Sequence, residues 1–366
     1  MLDELFSAWP ALRERIDAVP LGDFPTRVER LHGIEKQVGS GPLYVKRDDL
    51  SAEAYGGNKV RTLEVLFGRA RALGAREIIA TGAFGSNHAV ATALHAPRAG
   101  LRSGAVLFPQ PYSLAALQNL RVTLARAERL VVVPHWSCFP FGLWRASGRE
   151  RSIMPPGGAT PVGALGYVAA ALELGAQVAR GELLAPRRVF VGVGSTCTTA
   201  GLLLGFAHAA RLGLGFQRAP ELVAVRVSPW PVTSRFRILS LAVRAGALLA
   251  KLTGEPRLAL SHADLAAGFR IDGRELGSGY GEPSPAGHAA IELFRAQSLF
   301  ELDTTYSAKA AAGFLASARA RHEGPSLFWS TKSTRELPTV SDAELASAPA
   351  TARRWIERAR SRLLPA

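Results

Sequence analysis

The stretch Tyr55-Gly56-Gly57-Asn58-Lys59 lies between an extended charged segment, residues 44–50, and a predicted helix that begins near Lys59. Helical spacing of four apolar residues indicates that helix: Val60, Leu63, Leu66 and Phe67. The paired glycines allow the backbone to turn tightly and to approach a ligand closely. At a helix start, the positive dipole end and burial both disfavour a protonated amine, which suits a Schiff-base lysine. The alternative is an ordinary surface lysine after a turn.

The composition is that of a folded protein with about two domains. The 366 residues exceed one simple core at ~100–200 residues per domain, and a 48% hydrophobic, 20% charged chain is not disordered. The net charge of +14 could indicate nucleic acid or an acidic membrane as partner. The arginines are scattered, however, so a solvated surface explains the charge better, and we expect neither partner.

The cysteine content and the apolar segments bear on the compartment. Cys138 and Cys197 are the only cysteines, so there is no disulfide framework, and a reducing environment is expected. The charged first residues lack the apolar region of a signal peptide. The longest apolar stretches, such as residues 245–250, look far shorter than a membrane span. We therefore expect a cytoplasmic protein with no metal site.

Short β-branched apolar segments alternate with helical patterns along most of the chain, which predicts parallel sheets and an α/β fold. Strands are predicted at residues 42–46, 77–81, 103–108, 130–133, 188–191, 222–227, 300–302 and 326–329. Helices are predicted at residues 87–96, 113–127, 162–180, 199–210, 236–252 and 308–321, and a further helix ending at Ala296 follows residues 283–285. Residues 135–158 interrupt the alternation and are expected to be a long loop. Residues 341–362 are expected to form a polar, solvated helix.

Three loops rich in glycine or hydroxyl residues each follow a predicted strand or segment: residues 81–88, 192–201 and 277–281. In the first loop, Ser86 and Asn87 stand at a helix start, where backbone N–H groups favour a carboxylate, although simple N-capping explains them equally well. The second loop enters a helix with a run of hydroxyls that suits a phosphate, without the Walker or dinucleotide glycine spacing. The third presents Tyr280. Together with Lys59, these are the parts that a pyridoxal phosphate enzyme needs.

The chain resembles the aminocyclopropane-carboxylate deaminase and D-cysteine desulfhydrase family, among the fold type II, tryptophan-synthase-β-like pyridoxal phosphate enzymes. The resemblance covers roughly residues 18–335. It is carried by Leu43-Tyr44-Val45-Lys46-Arg47-Asp48-Asp49-Leu50, by Gly57-Asn58-Lys59-Val60-Arg61, and by Gly85-Ser86-Asn87-His88. Two tyrosine-bearing segments add to it, Gly279-Tyr280-Gly281 and Thr305-Tyr306-Ser307-Ala308-Lys309.

The resemblance implies a role for each site residue. Lys59 would be the Schiff-base lysine, and Ser86 would hold the substrate carboxylate. Tyr280 and Tyr306 would face the substrate, and Ser307 would meet the pyridine nitrogen. Further cofactor contacts are expected from Asn58, from Asn87 at the ring hydroxyl, and from a phosphate-binding loop of Gly194, Ser195, Thr196, Cys197, Thr198 and Thr199.

Small differences favour one branch of the family. The deaminase branch has Glu after its second tyrosine, whereas Ser307 here is the desulfhydrase type and implies a weaker electron sink, sufficient when a good leaving group departs. Thr331 agrees with that branch. The chain departs from the family at the pocket rim, with Gly85 for Gln, Thr62 for a second Lys, Ala308 for Gly, and Lys332-Ser333 for Gly-Gly. These departures bear on the substrate more than on the cofactor.

The resemblance therefore implies two open parallel-sheet domains with the cofactor in the cleft between them. Residues 1–59 plus 172–366 would form the large domain and residues 60–171 a smaller inserted domain. The expected reaction is β-elimination from a small amino acid, D-cysteine first, to pyruvate and ammonia, in a homodimer. The alternatives are aminocyclopropane-carboxylate deamination and a non-catalytic pyridoxal-phosphate-binding or regulatory protein.

Overall fold

The computed structural model describes residues 1–230, 232–277, 279, 284–320 and 324–363. Within these ranges the strands are β1 (Val28–Arg30), β2 (Leu43–Arg47), β3 (Glu77–Ala83), β4 (Arg102–Phe108), β5 (Arg129–Val132), β6 (Arg151–Ile153), β7 (Arg188–Val193), β8 (Glu221–Arg226), β9 (Phe269–Asp272) and β10 (Ser326–Ser330).

The α-helices of the same ranges are α1 (Asp3–Ala8), α2 (His32–Val38), α3 (Asn58–Ala72), α4 (Asn87–His95), α5 (Leu114–Arg126), α6 (Phe139–Ala146), α7 (Pro161–Ala179), α8 (Cys197–Arg211), α9 (Arg235–Thr253), α10 (His262–Ala266), α11 (Pro285–Ala296), α12 (Ser307–Arg319) and α13 (Ala350–Leu363).

Two separate sheets confirm the predicted α/β fold. The larger sheet has the spatial order β1-β2-β10-β7-β8-β9, and all its pairs are parallel except the edge pair β1–β2. The smaller sheet has the order β5-β4-β3-β6 and is parallel throughout. Helices follow most strands and cover the sheet faces, which is why the central strands are apolar without alternation. Phe328 of β10, for example, pairs with Val45 and Phe190, and all three side chains are buried.

Three sequence expectations are wrong. Residues 135–158 are not one long loop, because α6 and β6 lie there and β6 is an edge strand of the smaller sheet. Residues 300–302 are not a strand, whereas β9, which was not predicted, pairs with β8. The helix predicted at residues 341–362 begins only at Ala350 as α13. One face of α13 is buried rather than solvated, through Ala352, Trp355, Ile356 and Ala359.

Helix α7 corrects the expectation that no apolar segment approaches membrane length. It has 19 residues with a mean hydropathy of 1.4, enough by length and composition to cross a bilayer. Within the fold, 89% of its apolar stretch of 18 residues is buried. The helix packs against α3, α8 and α9 in the core of the larger sheet, so its apolarity is accounted for by burial on all sides.

The two sheets draw on different parts of the chain. The smaller sheet uses strands between residues 77 and 153, whereas the larger sheet uses strands before residue 48 and after residue 187. Helix α3 lies between them, since Val65 belongs to the core of the larger sheet while Val60 and Leu63 belong to the core of the smaller one. The division into residues 1–59 plus 172–366 and residues 60–171 stays a prediction.

A buried ion network ties α3 to the larger sheet. Arg61 donates to Oδ1 of Asp48 at 2.9 Å and to both carboxylate oxygens of Glu173 at 2.9 Å. Lys46 donates to Glu173 at 2.6 Å, and Trp329 of β10 donates to Asp48 at 2.8 Å. Burial alone would raise the pKa of Asp48, but Arg61 outweighs it and lowers that pKa to about 2. The charges therefore satisfy one another, and they fix α3 two residues from Lys59.

The network generates a stability prediction. We expect Arg61→Ala to lower the free energy of unfolding by about 3–5 kcal/mol, because it leaves buried Asp48 without its ion-pair partner and Glu173 with Lys46 alone. Urea unfolding followed by circular dichroism measures the change. The matched control is Arg76→Ala, which breaks a pair with Glu150 whose side chains are 75% and 53% exposed and should cost ~0–1 kcal/mol. Equal losses in the two variants would contradict the assignment.

Candidate functional site

A cavity of about 350 Å³ opens in the cleft between the two sheets. Its walls come from residues at or just beyond the carboxyl ends of β3, β4, β7 and β10, together with the start of α3. Ligands of open α/β sheets bind at this edge, because the loops there are not hydrogen-bonded into the sheet and helix N-termini point into the cleft. The volume falls within the ~300–1,000 Å³ typical of small-molecule sites.

Most of the residues that the sequence marks converge on this cavity. Those lining it are Asn58, Lys59, Ser86, Asn87, Gly194, Ser195, Thr196, Thr198, Thr199 and Tyr306. Cys197 and Ser307 are buried beside them without lining the cavity. Tyr280 lies outside the described residues.

Lys59 is a buried amine in the first turn of α3. Its side chain is 8% exposed, and its Nζ atom donates a long hydrogen bond of 3.4 Å to Oγ of Ser195. Burial lowers the pKa of the Lys59 ammonium. His88, in the same wall, adds no second positive charge near neutral pH, because burial and then Lys59 lower its pKa to about 3. Lys59 is thus poised to react as a neutral amine.

The turn before Lys59 requires glycine at Gly57. Its φ of +95° lies in the left-handed half of backbone space, and a Cβ there would come within 2.7 Å of the Thr331 carbonyl oxygen. Two backbone hydrogen bonds hold the turn, from Gly57 to Asp48 at 2.8 Å and from Asn58 to Thr331 at 2.8 Å. The Gly-Gly-Asn-Lys sequence therefore fixes the direction in which Lys59 enters the cavity.

The hydroxyl loop after β7 leads into α8. Thr196 has a φ of +65°, a conformation that costs a β-branched residue of order 1–3 kcal/mol and is found where function demands it. The first N–H groups of α8 have no preceding helical carbonyl to bond. Asn58 donates to Oγ1 of Thr198 at 2.9 Å, while the buried Oγ1 of Thr199 has no hydrogen-bond partner. Free donors at a helix start, with a hydroxyl awaiting a partner, suit a phosphate.

The position of Ser86 is compatible with both of the alternatives that the sequence left open. It is the N-cap of α4, because its Oγ atom accepts from the N–H of Ala89 at 3.2 Å, and it also lines the cavity. A hydroxyl that accepts one hydrogen bond retains its own hydrogen to donate. Ser86 and the N-terminus of α4 can therefore present donors to a carboxylate.

Asn87 is oriented by its neighbours. Its Oδ1 atom accepts from the Tyr55 hydroxyl at 3.0 Å and from Nδ2 of Asn119 at 2.8 Å. With both lone pairs of Oδ1 engaged, the Nδ2 group is left to donate toward the cavity that Asn87 lines. Such a donor suits an oxygen acceptor, which agrees with the role at the ring hydroxyl.

Ser307 is placed differently from the other expected residues. Its Oγ atom donates to Oδ1 of Asp303 at 2.7 Å and accepts from the backbone N–H of Asp303 at 2.7 Å. The Asp303 carboxylate also accepts from the N–H groups of Thr305 and Tyr306, so it orders the start of α12. Contact between Ser307 and a pyridine nitrogen stays a prediction.

Lys332, which the sequence placed at the pocket rim without a role, lines the cavity, and other residues of the site were missed. Lys332 and Arg237 add two cations to the cavity wall, Phe108 adds an aromatic face, and Tyr55 and Asn119 hold Asn87. A signal existed for Lys332, which is one of only six lysines and stands where the family has glycine. None existed for Asn119, because its partner lies 32 residues away in the chain.

The C-terminal helix supports the loop that carries Ser86 and Asn87. Phe84 of that loop is fully buried and meets the Trp355 ring edge-on, with centroids 5.4 Å apart. Trp355 donates to the Gln110 carbonyl at 3.0 Å, and the side chain of Gln110 accepts from the Gly85 N–H at 2.9 Å. Gly85 is constrained as well, since a Cβ there would lie 2.8 Å from that of Ala116. Helix α13 thus takes part in shaping the cavity.

Pyridoxal phosphate fits these residues. An amine with a lowered pKa can take the aldehyde, and a helix start with an unpartnered hydroxyl can take the phosphate. An amide with only its donor left can take the ring oxygen. These three features are spread over α3, α8 and α4, and all reach one cavity.

Known proteins agree with this geometry. Residues 19–331 match the family model described as pyridoxal-phosphate dependent enzyme. The chain is 35% identical to nocardicin C-9' epimerase of Nocardia uniformis subsp. tsuyamanensis, over 88% of this chain and 94% of that protein. It is 31% identical to D-cysteine desulfhydrase of Salmonella choleraesuis (strain SC-B67), over 83% of this chain and 90% of that protein. A crystal structure of an ACC deaminase homologue superposes with a TM-score of 0.70 and is 26% identical in sequence. The match covers 91% of this chain and 95% of that structure.

The site generates a labelling prediction. Because Lys59 is the buried amine with a lowered pKa at the cavity wall, we expect borohydride reduction of the cofactor-loaded protein to fix the cofactor on Lys59. Peptide mapping by mass spectrometry locates the adduct, and Lys59→Ala should show none. Lys46 and Lys309 are the matched buried lysines. An adduct on either of them, with Lys59 unmodified, would contradict the assignment.

Proposed function

This chain belongs to the family of pyridoxal-phosphate dependent enzymes, and from that premise we propose that it is a lyase that eliminates a β-substituent from a small amino acid. The observation that carries the proposal is the buried Lys59 amine in one cavity with residues from the starts of α4 and α8. D-Cysteine is the first candidate substrate, giving pyruvate, ammonia and sulfide. The likeness to D-cysteine desulfhydrase over 83% of the chain supports this choice.

The proposed reaction begins with binding of the amino acid. Its carboxylate accepts hydrogen bonds from Ser86 and the first N–H groups of α4, which favours one orientation of the α-carbon. The bound cofactor supplies the electron sink for the electrons of the α-carbon. Lys59 takes the α-proton at Nζ, and its lowered pKa supports this use as a base near neutral pH.

Departure of the β-substituent is the step that fits a weak electron sink. A hydroxyl such as that of Ser307 has no charge with which to hold a proton on the pyridine nitrogen. A thiolate leaves without a strong sink, whereas opening of a cyclopropane ring expels no such group. Tyr306 lines the cavity beside Gly194 and is proposed to face the substrate.

A second candidate is inversion of the α-carbon of a larger amino acid. The 35% identity to an epimerase over 94% of that protein favours it. The reaction would share the first step with elimination and differ only in that a proton returns to the α-carbon. The changed rim at Gly85 and Lys332 is compatible with a substrate other than D-cysteine.

We further propose a cytoplasmic homodimer. Cys138 and Cys197 are free thiols, and Sγ of Cys197 donates to the Gly158 carbonyl at 3.3 Å, which supports a reducing compartment.

The products test the proposal. We expect pyruvate from D-cysteine to form faster than 2-oxobutyrate from aminocyclopropane carboxylate with one enzyme preparation, because only the first substrate has a thiolate to expel. Coupled lactate dehydrogenase and mass spectrometry quantify the two keto acids, and Lys59→Ala is the inactive control. Formation of 2-oxobutyrate without pyruvate would overturn the choice. Inverted amino acid without either keto acid, seen by chiral chromatography, would favour the epimerase candidate.

Ser307 gives a second prediction. If the Ser307 hydroxyl turns from Asp303 to donate to a neutral pyridine nitrogen, Ser307→Ala removes that bond in addition to the bonds with Asp303. At about 1 kcal/mol per hydrogen bond, kcat/KM should fall by roughly fivefold or more. Ser317→Ala is the matched control on α12, since that buried hydroxyl has no partner and does not line the cavity. Nitrogen-15 NMR of labelled cofactor reads the ring nitrogen directly. A protonated nitrogen would refute the prediction.

A further inference from the structure

Lys332 is a cation that neither the proposed reaction nor the family resemblance uses. It follows Thr331 beyond the end of β10 and lies in an isolated antiparallel bridge with Gly57. Its side chain lines the main cavity and also a small cavity next to it, which Asn87, Asn119 and Asp303 share. Lys332 is thus a half-buried positive charge beside a cavity that fits an anionic cofactor.

A chain of hydrogen bonds leads from Lys332 to the cavity. Nζ of Lys332 donates to the Tyr55 hydroxyl at 3.1 Å, and that hydroxyl donates to Oδ1 of Asn87 at 3.0 Å. The same ammonium lies 5.1 Å from the centroid of the Tyr55 ring. Tyr55 is held in place because it is 1% exposed and its carbonyl is 2.8 Å from Nε2 of His95.

The direction of these bonds matters. Each donor in the sequence Lys332, Tyr55, Asn87 points toward the next, so the ammonium polarises the phenol and the phenol polarises the amide. The Nδ2 group of Asn87 then becomes a stronger donor for whatever oxygen it meets in the cavity. Among the described residues Lys332 forms no salt bridge, so its charge is not neutralised by direct pairing.

We propose that Lys332 is a positioning residue that stabilises the ionised ring oxygen of the bound cofactor, acting through Tyr55 and Asn87. The inference rests on the proposed contact between Asn87 and that oxygen. It adds a positive charge on the oxygen side of the ring, opposite the nitrogen side, where Ser307 supplies none. A weak sink at the nitrogen is thereby compensated in part at the oxygen.

The surrounding charges allow this role. Burial alone would lower the pKa of Lys332, but Tyr55 and Asp303 outweigh it and raise that pKa, so the ammonium persists at neutral pH. The other titratable groups that line the main cavity are Lys59, His88, Arg237 and Tyr306. His88 is neutral at that pH, since its pKa is about 3. Lys332 is therefore the charge coupled to Asn87 by hydrogen bonds.

The test is a pH titration of the visible absorption band of the cofactor-loaded protein, with no substrate present. A positive charge near the ring oxygen favours loss of the proton that the oxygen shares, and so lowers the titration midpoint. We expect Lys332→Met to raise the midpoint by about one pH unit, a tenfold change in proton affinity. Lys332→Arg, which keeps the charge, should stay close to wild type. Lys251→Met, at an exposed position of α9, is the control that should change nothing.

Tyr55→Phe keeps the charge but breaks the chain, and should also raise the midpoint. If Lys332→Met does not retain cofactor, the comparison of Tyr55→Phe with Lys332→Arg still decides the matter. A wild-type midpoint in Tyr55→Phe, or in a cofactor-loaded Lys332→Met, would overturn the proposal. Because no substrate is present, absence of pyruvate formation leaves this result untouched, and an unchanged midpoint leaves the proposed elimination untouched.

Discussion

The buried pairing of Arg61 with Asp48 and Glu173 is the constraint on which the site depends. Arg61, Asp48 and Lys46 have no exposed surface, so each charge would be strongly destabilising in the folded state without an ion-pair partner. The ion pairs among these residues hold β2, α3 and α7 together, and they fix the start of α3 at the mouth of the cleft. Trp329 of β10 donates a hydrogen bond to the Asp48 carboxylate, and this bond fixes the end of β10. Thr331 and Lys332, which follow in the chain, line the cavity.

Around that anchor, the site is built from helix starts. Helices α3, α4 and α8 all begin at the carboxyl edge of a sheet, and each directs the positive end of its dipole toward the cleft. This field favours anionic ligands, and burial lowers the pKa of the Lys59 ammonium at the same site. The same arrangement can therefore favour a phosphate and a carboxylate together with the neutral form of the lysine.

Local patterns predicted much of this and failed where distant contacts decide. The Gly57 turn, the Lys59 helix and the alternation of strands were predictable because glycine chemistry and apolar spacing act over a few residues. Helix α13 was taken for a solvated flank because its polar residues outnumber the four that pack into the core of the smaller sheet. The edge strand β6 has three half-buried residues and no apolar pattern to reveal it. The links from Lys332 to Tyr55 and from Asn119 to Asn87 span 277 and 32 residues, beyond the reach of any local pattern.

Movement of the α-proton by Lys59 is tested most directly with an amino acid that has no β leaving group. D-Alanine is incubated in D₂O with the cofactor-loaded protein, and proton NMR follows loss of the α-proton signal. We expect exchange with the wild type, and no exchange above the rate of free cofactor with Lys59→Ala loaded with the same cofactor. Equal exchange rates in the two proteins would contradict the role of Lys59 as the base.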